Sequence, residues 1–258
     1  METLRNAAIK TAVRGLYYVV STLDPASDLR VLNYGYRDGK SIPLDSEDAP
    51  HALRLALYHH VVSTVDLTGL DVLEVGSGRG GGASYLARHM YPRSVHGVDL
   101  SGKAVRFSQN YYQVPGLTFS QGDAENLSQA DESFDAVVNI ESSHNYPNIR
   151  KFAKGVHRVL KSGGRFLFAD MRPVDRIEEL KALLIKPGFR VILEEDITDN
   201  VLSALDIDNR LKGTYISRRI PKLFRRPFST FAGVKGTRFY NQLQAGNWKY
   251  LNLALQKE

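Results

Sequence analysis

Cysteine is absent from the 258 residues. That absence excludes disulfide frameworks, iron–sulfur clusters and thiolate zinc sites, and makes a reducing cytoplasm the expected setting. Long apolar runs are missing as well. The opening "METLRNAAIKTAVRGLYYVVSTLD" is interrupted by Arg5, Lys10 and Arg14, so neither a signal peptide nor a membrane anchor is expected. Its apolar Ile9, Val13, Leu16, Tyr17 and Val20 fall at helical spacing and predict an amphipathic helix lying on the domain. Acidic residues are missing between Asn209 and Lys257, so the formal charge of +6 is a property of the C-terminal part. A solvated basic face accounts for that excess, and so does attraction to an anionic lipid surface or an acidic carrier. Nucleic acid is not expected, because no recognisable binding module accompanies the charge. No metal is expected either: His59 and His60 are adjacent and point in different directions on a helix, and no other His pair has ligand spacing with carboxylates.

What the chain does contain is a regular alternation. Strand-like runs occur at residues 71–76, 94–100, 117–123, 134–140, 164–171, 189–198 and 248–257, with helical patterns at 80–90, 101–113, 147–160 and 178–186. Pro147 suits a first turn of the third helix, and "SGG" ends it. Short connections between alternating strands and helices imply parallel strands with right-handed crossovers, a doubly wound α/β sheet of seven strands. Two segments fall outside the alternation: residues 1–60, an N-terminal helical cap, and 199–246, a basic and aromatic lid. The core is then 61–198, completed by a last strand at 247–258. Both additions are expected over the carboxyl ends of the strands, where open sheets bind ligands.

The densest signal is "DVLEVGSGRGGG", residues 71–82, with glycine at 76, 78, 80, 81 and 82 directly after an apolar strand. Such a turn lets backbone N–H groups approach a ligand that a Cβ would push away. Dinucleotide enzymes use a related pattern, and Gly81 makes that match possible, so the glycines alone leave a nicotinamide-dependent oxidoreductase open. Glu74, two residues before the first glycine, favours a ligand bearing an ammonium group over one bearing pyrophosphate. Asp99 ends the second strand, 19 residues after Gly80, where a carboxylate can accept from ribose hydroxyls; a helix cap beside Ser101 is its ordinary role. Asp123 ends the third strand, where it can accept from an adenine amine with the Ala124 N–H beside the ring, or cap a turn.

Taken together, "VLEVGSGRGGGASYLAR", "VHGVDLS", "FSQGDAENL", "SFDAVVNIESSHNYP" and "RVLKSGGRFLFADMR" resemble successive motifs of the class I S-adenosylmethionine-dependent methyltransferases. Within that class they look most like the small-molecule enzymes related to mycobacterial phthiotriol dimycocerosate O-methyltransferases and polyketide-tailoring enzymes, and more distantly like tocopherol- and sterol-type C-methyltransferases. The match is strong over about residues 70–172, and "LNYGYRDG" (32–39) is similar to the family's N-terminal cap. The resemblance implies a Rossmann-like, mostly parallel seven-stranded sheet and a cytoplasmic enzyme. It also implies S-adenosyl-L-methionine as cofactor, S-adenosyl-L-homocysteine as product, and no metal. Glu74 and the Gly76–Gly80 turn with Ser77 and Gly78 would hold the methionine moiety, Asp99 with Leu100 the ribose, Asp123 with Ala124 the adenine. Asn139 would contact the methionine part from below.

Methylation of an oxygen asks for alignment of two partners in a dry pocket and a base for one proton. The candidate base is His144, in "NIESSHNYP" just past the fourth strand; positioning a substrate and packing or hydrogen bonding near the cofactor are its other readings. Glu141 could orient the imidazole or contact substrate or cofactor, Tyr146 is a weaker candidate for substrate, and Asp170 could be a second polar anchor for it or an end-of-strand cap. Tyr34 and Tyr36 would sit in a cap loop that closes over the cofactor and contacts the substrate, or in a surface turn with aromatic packing. Ile207, Leu211, Tyr215, Ile216, Leu223, Phe224, Phe228, Phe231 and Phe239 mix with the cations of 199–246, as suits a lid over an apolar substrate or a helix pair packed on the core. The expected acceptor is small or lipid-like, the expected reaction O-methylation ahead of C- and N-methylation, and the expected assembly a monomer or homodimer.

Overall fold

The structure, a computed structural model, describes residues 29–258; the amphipathic helix expected near the N-terminus lies outside them. Seven strands form one sheet in the order β3-β2-β1-β4-β5-β7-β6. They are β1 (Asp71–Val75), β2 (Ser94–Asp99), β3 (Leu117–Gln121), β4 (Phe134–Ile140), β5 (Leu160–Pro173), β6 (Phe189–Asp196) and β7 (Trp248–Lys257). The first five run parallel, and β7 inserts antiparallel between β5 and β6. The central strands are apolar on both faces because helices cover both. Val72, Ala136, Val138 and Leu167 join one core cluster, and their neighbours Leu73, Val137, Phe166 and Phe168 join the other.

Helices α1 (Ala52–Val62), α2 (Gly81–His89), α3 (Gly102–Tyr111), α4 (Ile149–Val159) and α5 (Ile177–Ile185) flank the sheet. Two sequence boundaries shift. Pro147 precedes α4 rather than opening it: the Asn148 side chain caps the helix by accepting from the Lys151 N–H at 3.0 Å. Strand β5 begins at Leu160, four residues early, because Leu160 pairs with Phe134 before the register jumps to Arg165 opposite Ala136.

The β1–α2 turn uses its glycines in two ways. Gly76, Gly78 and Gly80 have φ of 79°, 54° and 79°, a left-handed run only glycine adopts freely. At Gly76 a Cβ would also overlap the Ser142 side chain and lie 2.7 Å from the Tyr146 hydroxyl, whereas at Gly78 it would meet open space. The glycine turn is therefore pressed on one side and vacant on the other.

Residues 199–246 contain α6 (Thr198–Arg219), α7 (Arg225–Phe231) and α8 (Arg238–Gln244). Helix α6 is tied to the segment before α1 and to α1 itself: the Arg37 N–H donates to the Asn200 carbonyl at 3.2 Å, Asn200 Nδ2 donates to the Arg37 carbonyl at 2.9 Å, and Arg54 of α1 pairs with Asp208 at 2.5 Å. The Tyr34 N–H donates to Glu141 Oε1 at 2.7 Å, just beyond the end of β4. The two additions thus meet over the carboxyl ends of the strands.

Candidate active site

Three cavities meet at this edge. One runs along Gly76, Val98 to Ser101, Gly122 to Glu125, and Ser142 with Asn145 to Pro147. A second lies under Gly76 to Arg79, Tyr58, Ile140 and Glu141. A third, about 290 Å³, is walled by Leu29, Leu32, Tyr34, Ile216, Phe228 and Phe231 with His144, Lys212 and Glu141 among its polar lining. Gly76 belongs to the first two, Glu141 to the last two, and Asn145 links the first and third.

Glu74 is buried, and Tyr58 donates to its Oε1 at 2.6 Å. Its Oε2 has no hydrogen-bond partner. Burial raises its pKa to about 7, against the pull of the Tyr58 hydrogen bond, with the Asp99 charge adding to the rise. Asp99 accepts from the Gly78 and Ser101 N–H groups, each at 2.8 Å, yet burial still raises it to about 6. Asn139 is fully buried; its Nδ2 donates to the Val75 carbonyl at 2.7 Å and its Oδ1 is left unpartnered. Leu100, Asp123 and Ala124 line the first cavity and Ser77 the second. Glu74 Oε2 and Asn139 Oδ1 are thus two buried oxygens without donors on the strands that flank the glycine turn, behind the residues that line the cavities.

His144 carries the other half of the site. Its Nδ1 lies 2.8 Å from Asp170 Oδ1, its backbone N–H donates to Asp170 Oδ2 at 2.9 Å, and Asn145 Nδ2 lies 2.8 Å from its Nε2. The carboxylate facing Nδ1 favours the proton there, which leaves Nε2 to accept from Asn145; both residues line the third cavity. Asp170, for which the sequence offered the roles of substrate anchor or end-of-strand cap, is fully buried and lines none of the three cavities. Burial opposes its charge, but His144, Arg172 at 3.2 Å and the Ser143 hydroxyl hold the carboxyl well below the usual carboxylate range.

Other assignments also move. Glu141 does not orient the imidazole; Oε1 accepts from the Tyr34 N–H and from the Tyr250 hydroxyl at 2.8 Å, at a backbone φ of 45°. Burial raises its carboxyl to about 7 against those two hydrogen bonds. Tyr36 is buried and stacked on His60, ring centroids 4.0 Å apart, and lines none of these three cavities. Tyr146 lines the first cavity rather than the third, its hydroxyl 2.6 Å from Ser142 Oγ. Tyr34 does line the third, stacked on Phe239 at 4.6 Å. Tyr58, Asp170 as partner of His144, and Lys212 carry no local motif; only the folded chain brings them to the site. Among the described residues one histidine–carboxylate trio could share an ion, Asp45, Asp48 and His89, and none of the three lines these cavities.

A sheet of this strand order, with a glycine turn after β1 and acidic groups ending β1 to β3, defines a class I methyltransferase core. The Methyltransferase domain family matches residues 73–168. The chain is 37% identical over 229 residues to the phthiotriol/phenolphthiotriol dimycocerosates methyltransferase of Mycobacterium tuberculosis, covering 88% of this chain and 85% of that protein. It is 36% identical over 225 residues to the fatty-acid O-methyltransferase of Mycolicibacterium smegmatis, covering 86% and 81%. The geranyl diphosphate C-methyltransferase of Streptomyces coelicolor A3(2), solved with Mg2+, geranyl diphosphate and S-adenosyl-L-homocysteine, superposes with a TM-score of 0.70 at 14% identity, covering 97% of this chain and 98% of that one. The chain belongs to the S-adenosylmethionine-dependent methyltransferases. Its cofactor is S-adenosylmethionine. The unpartnered Glu74 Oε2 and Asn139 Oδ1 suit the ammonium end of that molecule, and the acids and backbone of the first cavity suit its adenosine.

Proposed function

We propose that this chain methylates a hydroxyl oxygen of a small, apolar, lipid-like acceptor, with His144 as general base. The observation that carries this is the His144–Asp170 pair standing where the cofactor cleft opens into a chamber of aromatic and aliphatic side chains. The relatives named for dimycocerosate and fatty-acid methylation support an acceptor of this kind.

Bound S-adenosylmethionine supplies an electrophilic methyl group. Glu74, Asn139 and the Gly76–Gly80 turn hold its methionine end, Asp99 with Leu100 its ribose, and Asp123 with Ala124 its adenine. The protein's remaining work is to align the acceptor, exclude water and remove one proton. The acceptor O–H donates to His144 Nε2 in place of Asn145, and the proton passes to that nitrogen. Asp170 stabilises the imidazolium so formed through Nδ1–H. Incubating the chain with cofactor and a panel of long-chain alcohols, acids and hydroxylated polyketides should give the mass gain of one CH2 on a hydroxylated member, located on oxygen by NMR. A methyl found on carbon would overturn the O-methylation reading.

Access to such an acceptor runs through the lid. Between α6 and α7, Leu223 and Phe224 are 82% and 51% exposed, flanked by the exposed cations Arg218, Arg219, Lys222 and Arg226. An apolar tip ringed by cations suits an anionic bilayer surface. The chain is expected to cosediment with vesicles containing anionic lipid and not with purely zwitterionic ones. Replacing both Leu223 and Phe224 with Ser should weaken that binding, and equal sedimentation with both vesicle types would remove the assignment.

A further inference from the structure

Lys212 stands on α6 with 9% exposure, and its Nζ makes no hydrogen bond. It lines the acceptor chamber. The nearest carboxylate oxygen, Asp208 Oδ2 at 3.6 Å, is already held by Arg54 at 2.5 Å. On another side lies the ring of Tyr34, 5.9 Å from Nζ. A buried ammonium with unmade hydrogen bonds is costly, because the donors lose water and gain nothing in exchange. Neutralising Asp208 does not account for it, since Arg54 does that at shorter range. Two cationic side chains therefore face the Asp208 carboxyl here, and Glu141, with its carboxyl raised to about 7, offsets the excess only in part. Burial and the Arg54 charge lower the Lys212 ammonium to about 8, which leaves it mostly charged near neutral pH. The chamber thus carries more cationic than anionic side chains, beside an apolar wall of Leu29, Leu32, Ile216, Phe228 and Phe231.

We propose that Lys212 receives an anionic oxygen of the acceptor, so that the chamber selects a long-chain hydroxy acid with its carboxylate on Lys212. The aliphatic body then lies among Leu32, Ile216, Phe228 and Phe231, and the hydroxyl faces His144. The placement of the hydroxyl rests on the O-methylation reading; the carboxylate does not. A carboxylate would give Lys212 charge-assisted hydrogen bonds that the folded chain leaves unmade.

The test reads binding without turnover. Calorimetric titration with β-hydroxypalmitate and with its uncharged methyl ester should show the acid binding about tenfold more tightly to the unmodified chain, as one charge-assisted contact provides. Lys212→Met should erase that preference by weakening the acid alone, while Lys212→Arg, which keeps the charge, retains part of it. S-adenosylhomocysteine affinity in both variants should match the parent, showing that the fold is intact. Equal affinity for acid and ester in the unmodified chain, or an undiminished preference in a folded Lys212→Met, overturns the proposal. If Lys212→Met does not fold, the acid-to-ester ratio of the unmodified chain and of Lys212→Arg decides the question. Failure of the chain to methylate any hydroxyl would instead count against the reaction, since binding preference and turnover are measured apart.

Discussion

Replacing His144 with Ala is expected to lower kcat by about a hundred- to ten-thousandfold, the usual contribution of a positioned general base. The dissociation constant for S-adenosylhomocysteine should change by less than about twofold, because the imidazole lines the acceptor chamber and not the two cavities of the cofactor cleft. Asp170→Asn should lower kcat comparably while KM stays close to the parent value. The amide keeps the shape but removes the negative charge that holds Nδ1–H and balances the imidazolium. It also leaves Arg172, 3.2 Å from the same carboxylate, without its counter-charge, so a loss of melting temperature should accompany the kinetic effect. A purely structural role for Asp170 predicts that loss without the kcat effect. The double variant separates the two: if Asp170 acts through His144, adding Asp170→Asn to His144→Ala should cost little further rate. Additive losses in kcat would show that the pair does not work as a unit, and a His144→Ala enzyme of undiminished kcat would remove the base.

The second large effect is expected at Glu74, as a dependence of cofactor affinity on pH. Its folded pKa is raised from 4.5 to about 7 by burial, so near pH 6 the cofactor-free chain holds it mostly protonated. Binding an ammonium beside Oε2 requires the carboxylate, so affinity should rise with pH through 6 to 8 by up to about tenfold per unit and then level off. Asp99, raised to about 6, steepens the acid side. Glu74→Gln should flatten most of that slope and weaken binding at pH 8 by roughly ten- to a hundredfold, the worth of a hydrogen bond to a charged group. The stability of the cofactor-free chain runs the other way. Between 4.5 and about 7 the folded state holds the Glu74 proton and the unfolded state releases it, so this contribution is present at low pH and lost as pH rises through 7. Thermal denaturation of parent and Glu74→Gln across pH 5 to 8 checks the sign: the difference should shift in favour of the Gln variant with rising pH. An affinity independent of pH over the same range would place the ammonium elsewhere.

Residue pattern set the sheet, and the family resemblance that its motifs carry implied the cofactor. Apolar runs of period two or none, glycines at the first strand end and carboxylates at the next two are local features, and local features survive in one dimension. Glu74, Asp99 and Asp123 were legible because a parallel sheet puts successive strand ends side by side without further information. The boundaries at Asn148 and Leu160 were not legible, since a side-chain cap and a register jump outweighed the proline and the glycines. Nor were the partners of His144. Glu141, three residues from His144, was the nearer carboxylate in sequence, but its φ of 45° and its bonds to Tyr34 and Tyr250 turn it away, and Asp170 on the adjacent strand takes its place. Tyr36 and Tyr34 are separated by one glycine, yet one packs on His60 and the other walls the acceptor chamber. Lys212 was one cation in a basic run until α6, which also carries Asp208, crossed Arg54 of α1 and left its ammonium dry. What the sequence determined by itself was therefore the sheet and the cleft for the cofactor, which depend on spacing along strands. What only the tertiary structure decided was which groups face the acceptor, because desolvation, pairing and the direction of a side chain arise between segments that are distant in the chain.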